Sequence, residues 1–212
     1  LSWLDGELIS EVKNIHVKNL FLFIKDMQLL KNSPNYQRIG PASEAKFSII
    51  KHYLGVYKII KRLIKQTNLL TYDIHKEKDN LYKLLEFLER EIIQIKKNYF
   101  IKVPEKLIIT KISKKQIVLS QSDIGFHNIF EKQNDLFFFD FEYAGYDDLF
   151  KMISDLVLQP NYGLPKKSFY LSQMILKDYI YTKEDIKKLI LTMKIYRLKW
   201  CCIILNEIFK NW

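Results

Sequence analysis

Two cysteines in 212 residues leave no disulfide framework to hold this chain together. They are neighbours, Cys201 and Cys202, and adjacent side chains on a helix diverge by roughly 100°, poor geometry for a bond between them. A reducing, cytoplasmic setting is the expectation. Glycine and proline are scarce, at six and five residues, which excludes a collagen-like or linker-rich chain. No low-complexity tract and no internal period signals a repeat array. No uninterrupted apolar run approaches the roughly 18–20 residues that a membrane-spanning helix needs. An acidic balance is lacking as well. The formal charge of +10 would suit an anionic partner such as nucleic acid, nucleotide or an acidic membrane surface. The excess is lysine rather than arginine, however, and Lys58, Lys61, Lys96, Lys97, Lys187 and Lys188 are scattered over helical faces, the pattern of a solvated surface. No nucleic-acid partner is expected.

What the chain has is apolar residues, 48% of the total, enough for one sizeable core. Residues 1–10 read as a connector or strand end, with a turn at Asp5 and Gly6. Val17, Leu20, Phe21, Ile24, Met27 and Leu30 recur at three- and four-residue steps and predict a helix over 14–31. A second helix is predicted over 42–65, with Phe47, Ile50, Leu54, Tyr57 and Ile64 on one face. A third, over 76–97, carries Leu81, Leu84, Leu85, Leu88, Ile92 and Ile95. After Pro104 the pattern turns to short β-rich runs, 117–119, 129–130 and 136–139, with a turn at Asn134 and Asp135. Helices resume over 147–158, 166–177 and 183–192, and a buried terminal helix over 193–209. Thr182 and Asp185 have the spacing of a capping box. The fold class expected is mainly α (α+β), a helical bundle with a short β-hairpin.

A small strand island in a helical chain exists to hold loops, and here the loops carry the chemistry. Asp123 and Asn128 stand five residues apart between the first and second runs, and Asp140 ends the third. A hairpin from Ile129 to Phe139 brings Asn128 and Asp140 together, an amide oxygen and a carboxylate able to share one hard cation such as Mg²⁺. Asp123 is then left facing the place of a substrate hydroxyl. Phosphoryl transfer from ATP needs this division of labour: a cation to neutralise phosphate charge, and a carboxylate to orient the attacking hydroxyl and take its proton.

The segments SQSDIGFHNIF and LFFFDFEYAGYDDLFKMISDLVLQP resemble the catalytic core of the aminoglycoside phosphotransferase/choline kinase-like family, which has a protein-kinase-like fold. The family form is H-G-D-x-x-x-x-N, followed by I-D-F-E-x-A-G-x-x-D-P and a later D-L. The resemblance implies a kinase-like C-terminal lobe, residues 11–212, in which Asp123 is the catalytic base, Asn128 and Asp140 hold Mg²⁺ and ATP, and Asp155 braces the catalytic loop. It further implies an enzyme that moves the ATP γ-phosphoryl group to a small-molecule hydroxyl acceptor: an amino alcohol, a sugar or an aminoglycoside. SWLDGELI resembles the segment after the hinge of that family, so a nucleotide-gripping N-terminal lobe is expected upstream of Leu1. The motif-specific part is the middle third of the chain.

Three departures bear on this. Gln121 stands where the family has His, losing an imidazole that helps fix the loop; an amide still donates and accepts. Leu149 replaces Pro after Asp148. Residues 1–212 carry no Gly-rich phosphate loop and no strand lysine paired to a helix Glu. The first and third keep a second reading open, a catalytically inactive kinase-like module that binds or regulates. Several residues also carry two readings. Asp123 and Asn128 are turn and cap residues in the plain alternative. Glu142 is a second metal contact or a partner for a surface lysine. His127 touches phosphate or, more in keeping with its place, packs. Tyr143, Tyr146, Asp147 and Asp148 line an acceptor pocket for a cationic substrate, or one of the two acids starts a helix through the dipole. Arg197, Lys199, Trp200 and Asn206 reach the acceptor cleft from the last helix, or Lys199 snorkels along apolar neighbours.

Overall fold

The computed structural model describes residues 6–31, 33–34, 38–69, 75–160, 177, 179–180 and 182–210, with side chains from 78 in the third helix and up to 207 in the last. Along the chain run β1 (Glu7–Leu8), α1 (Asn14–Leu30), α2 (Ile49–Asn68), α3 (His75–Ile95), α4 (Glu105–Ile109), β2 (Ile117–Ser120), β3 (Ile129–Lys132), β4 (Asp135–Phe138), β5 (Gly145–Asp148), α5 (Leu149–Leu158) and α6 (Lys183–Lys210). The fold is mainly helical with two small sheets, one of β1, β3 and β4 and one of β2 and β5. Two compact units divide it: residues 1–46 with 112–186, and 47–111 with 187–212.

In the first unit α1 buries Val17, Leu20, Phe21, Ile24 and Met27, the stripe its spacing predicts except for Leu30, which is exposed at the helix end. Its far end grips β2 in a way no hydrophobic pattern announces. The Gln28 amide donates to the Leu119 carbonyl at 2.8 Å and accepts from the Leu119 amide at 2.9 Å, so the side chain completes the strand's ladder as a neighbouring strand would. Lys31 donates to the carbonyls of Lys114 and Ile117. On its other edge β2 pairs antiparallel with β5, from Ile117 opposite Asp148 to Ser120 opposite Gly145. The strand that delivers the Asp123 loop is therefore held on both sides.

The hairpin of β3 and β4 turns on Gln133 and Asn134, both at positive φ (53° and 72°), as a two-residue primed turn requires. The turn thus lies one residue earlier than the sequence suggests, and Asp135 already pairs with Lys132. β1 extends this sheet, with Leu8 opposite Phe130. Phe138 stacks on Phe23 at 3.6 Å between centroids and Phe139 on Phe130 at 4.6 Å, which makes these aromatics part of the packing.

Three predicted boundaries move for physical reasons. The second helix begins at Ile49, not 42, because Ala42 donates to Tyr146 and Ser43 to Tyr143, which draws 40–43 into an extended run beside 143–146. Gly145 is demanded there: a Cβ on it would lie 2.5 Å from the Ala42 nitrogen and 2.6 Å from the Gly40 oxygen. The predicted helix start at 147 is strand β5, and the helix begins after Asp148. The two last helices are one, Lys183–Lys210, since nothing between Thr192 and Met193 breaks the ladder. That helix is amphipathic and not buried all round: Ile195, Tyr196, Cys202 and Leu205 face inward while Ile190 and Ile204 are about half exposed. It opens on the expected box, with Asp185 N to Thr182 Oγ1 at 3.1 Å and Thr182 N to Asp185 Oδ2 at 3.2 Å. The helix predicted over 166–177 lies, except for its last residue, outside the described residues.

In the second unit α2 buries Ile49, His52, Tyr53, Val56, Ile60 and Leu63. This stripe is one residue off the predicted one. Ile50, Leu54 and Tyr57, expected inside, line a groove of about 670 Å³ with Ile93, Phe100 and Ile108. α3 buries Leu81, Leu85, Leu88, Ile92 and Ile95 as predicted, leaves Leu84 exposed, and runs on into a π-helical turn, Lys96–Phe100.

Candidate active site

The residues of the 121–128 loop follow from the strand that feeds them. β2 ends at Ser120, whose Oγ accepts from the Ser122 amide at 2.9 Å. Ser122 takes a left-handed backbone conformation, φ 73°, which reverses the chain and lets Asp123 turn outward. The Asp123 side chain is about half exposed, and its Oδ2 stands 3.2 Å from His127 Nε2. His127 therefore neither fills the core nor faces open solvent alone: it sits beside Asp123. Behind them Ile124 and Phe126 are buried, and Gln159 Nε2 donates to the Ile124 carbonyl at 3.2 Å.

A single 3₁₀ turn, Phe126–Asn128, then leads into β3. Asn128 is buried, and its Nδ2 donates to the Asp123 carbonyl at 3.0 Å, closing the loop on itself. Its carbonyl accepts from Phe139 N at 3.2 Å, one step beyond the last hairpin pair. The hairpin thus brings Asn128 and the 139–140 segment together, as the strand pattern predicts. Asp140 is exposed and also left-handed, φ 59°, the second such residue in the site. Non-glycine residues in this region are held there by their surroundings and concentrate at functional sites.

Gln121 supplies part of that holding. Wholly buried, it donates from Nε2 to the carbonyls of Phe139 and Asp140, so its amide ties the Asp123 loop to the Asp140 loop. Its Oε1 has no partner among the described residues.

Outward of Asp140, Glu142 and Tyr143 are exposed. The Tyr143 hydroxyl is pushed above its ordinary pKa, first by its hydrogen bond to Glu142 and the charge of that residue, then by desolvation, and last by the charges of Asp140 and Asp123. Asp123, Asp140 and Glu142 thus all act on one exposed phenol, where solvent screens them.

Asp147 and Asp148 are not an acceptor lining. Both are buried. Asp148 caps α5 through Phe150 N at 2.7 Å, the helix-start role expected of one of the pair. Asp147 Oδ2 lies 2.6 Å from Lys151 Nζ, which also stands 3.4 Å from Asp155 Oδ2 and 3.4 Å from Ser122 Oγ. Burial pushes the Asp147 carboxyl above the ordinary carboxylate value and the pull of Lys151 only partly offsets it. On Lys151 burial acts downward, but Asp147 and Asp155 outweigh it and the ammonium stands above its ordinary value. The two directions disagree about how readily the pair is charged. Three polar partners on one ammonium, with one contact at 2.6 Å, decide for the charged pair.

Sequence reading missed Lys151 and Ser122. Part of the signal was there: Lys151 and Asp155 stand four residues apart, the spacing that stacks side chains along a helix, whereas Asp147 lies in β5. Lys199 and Trp200 belong to the second unit, where the Lys199 ammonium lies 5.0 Å from the Tyr196 ring centre and Trp200 Nε1 is buried without a partner among the described residues. Arg197 is exposed and Asn206 half-buried in the same helix.

No protein-family model and no curated protein matches the sequence. Among solved structures the chain is similar to choline kinase from Cryptosporidium parvum Iowa II, with a TM-score of 0.54 and 13% identity over 94% of this chain. The chain spans 62% of that protein's length. At this identity the likeness carries the fold: the architecture is a mainly α, protein-kinase-like one. Among the described residues no helix is long and apolar enough to cross a membrane.

Proposed function

We propose that the protein is an ATP-dependent phosphotransferase that moves the γ-phosphoryl group to a hydroxyl of a small molecule. The observation that carries this is the convergence of Asn128 and the Asp140 loop at the open end of one hairpin, with Asp123 tied to Asn128 at 3.0 Å. Asp123, half exposed, would orient the acceptor hydroxyl and take its proton. Asn128 offers an amide oxygen, since its nitrogen is spent on Asp123, and Asp140 a carboxylate. Both are hard oxygen donors, and Mg²⁺ is held by one or two such groups plus substrate phosphates in preference to an all-protein cage, so the donor set fits. When bound, the cation neutralises charge on the transferring phosphate. The carboxylates of Asp123, Asp140 and Glu142 favour it and also suit a cationic acceptor such as an amino alcohol or amino sugar. Choline kinase, the structural neighbour, acts by its name on an amino alcohol, which makes that class the first to try.

The test is ATP turnover by the natural full-length gene product with Mg²⁺, across amino alcohols, sugars and aminoglycosides. Acceptor-stimulated phosphorylation is expected, and Asp123→Ala should lower it by about 10²–10⁴-fold. Equal background hydrolysis in wild type and variant, with no acceptor phosphorylated, would favour the inactive binding module.

A further inference from the structure

We propose that Lys151 is a positioning residue: its buried ammonium holds Ser122 in the left-handed conformation that aims Asp123 at the acceptor. The proposal rests on the assignment of Asp123 as the base. Ser122 immediately precedes Asp123 and is the residue at which the loop reverses, with φ 73°. An L residue does not choose this conformation unaided, so its neighbours must hold it there. Two contacts act on it: the Ser120 Oγ on its amide at 2.9 Å and the Lys151 Nζ on its Oγ at 3.4 Å.

Lys151 is itself held from two sides. It is 1% exposed, and Asp147 at the end of β5 and Asp155 one turn further along α5 stand 2.6 and 3.4 Å from the ammonium. Asp147 belongs to β5, the partner strand of β2. The ammonium therefore joins three pieces of backbone: the strand beside the loop, the helix behind it and the loop residue. Burying a lysine between two carboxylates adds little stability over apolar residues of the same volume, so its use lies in specifying a geometry. The expected brace, Asp155, then acts through Lys151: it helps to place the cation, and the cation meets the loop.

Amide hydrogen exchange and steady-state kinetics on the full chain test this, with variants Ser122→Ala, Lys151→Met and Lys151→Arg. Ser154→Ala is the control, a buried hydroxyl in the same helix that bonds to the Phe150 carbonyl at 2.6 Å. The hydrogen-bonded amides of Ser122 and Asn128 report on the loop. Ser122→Ala and Lys151→Met should speed their exchange by about tenfold, with the control at the wild-type rate. The same two variants should lower kcat by about tenfold while the KM for ATP changes by less than about twofold. Lys151→Arg keeps the charge and should recover part of both. Ser122→Ala leaves the ion pair intact, so it decides the matter even where Lys151→Met fails to fold. Wild-type exchange at both amides in Ser122→Ala overturns the proposal. Faster exchange in a chain whose wild type transfers no phosphate upholds the positioning role and instead removes the catalytic reading of Asp123.

Discussion

The two units bury different things. Among the described residues the first places thirteen polar or charged side chains in its interior, from His16 to Asp185, and the second only Ser48, His52, Thr67 and Thr192. The second unit is held by shape: Ile60, Leu63, Leu85, Leu88 and Ile92 are almost wholly buried on stripes of helical spacing. The first is held by directed bonds around one loop, where Gln28, Gln121, Asn128, Lys151 and Gln159 each close a particular backbone contact or ion pair. Dispersion and burial tolerate substitution if volume is kept. A hydrogen-bonded network does not, because each lost partner leaves a buried polar group unpaired.

The difference can be broken most sharply at Lys151. Lys151→Met strands Asp147 and Asp155 without their cation and should cost about 3–5 kcal/mol of stability in urea unfolding, the usual penalty for one half of a buried pair. The same residue gives a pH signature. Because its folded pKa stands above the ordinary 10.5, its contribution is complete below that value and is lost as pH rises through the folded one. Urea midpoints above pH 10.5 should fall more steeply for wild type than for Lys151→Met.

In the helical unit Leu85→Ala should cost about 2–5 kcal/mol, yet Leu85→Met less than about 1.5, as a shape-held core predicts. If the methionine variant is as damaging as the alanine one, the contrast between the units fails. Tyr196→Phe tests a buried side-chain pair of that unit, the Tyr196 hydroxyl at 2.9 Å from His52 Nδ1, and should cost about 1 kcal/mol by the same measurement. The smallest effect is on thiol chemistry. Burial, with Cys201 beside it, pushes the Cys202 thiol up to about 12, whereas Cys201 is exposed. A native-state alkylation monitored by mass should modify Cys201 alone and leave stability unchanged.

Helix α1, the three strand runs and the approach of Asn128 to the 139–140 segment were legible because each is a matter of local spacing: three and four residues for a helix, alternation for a strand, a tight turn for a hairpin. The α2 stripe was read one residue out because both candidate faces are apolar, and only the packing of its neighbours chooses Ile49, Tyr53 and Val56 over Ile50 and Leu54. The second half of β5, Asp147 and Asp148, was read as a helix start because its residues pair with β2, far away in the chain. Asp147 shows the same limit in chemical terms. From its position it could equally line a pocket or start a helix; the structure buries it against Lys151.

The sequence by itself thus determined the helical class, the hairpin and the residue types at the site, all of which depend on neighbours within a turn or two. Tertiary structure alone decided what holds the site: Gln28 completing the edge of β2, Gln121 bridging two loops, and Lys151 set between two carboxylates beneath Ser122. These contacts join residues up to 91 positions apart. Apart from the four-residue step from Lys151 to Asp155, such pairings leave no periodic trace, since a buried polar bond depends on where two backbones meet and not on the spacing along either.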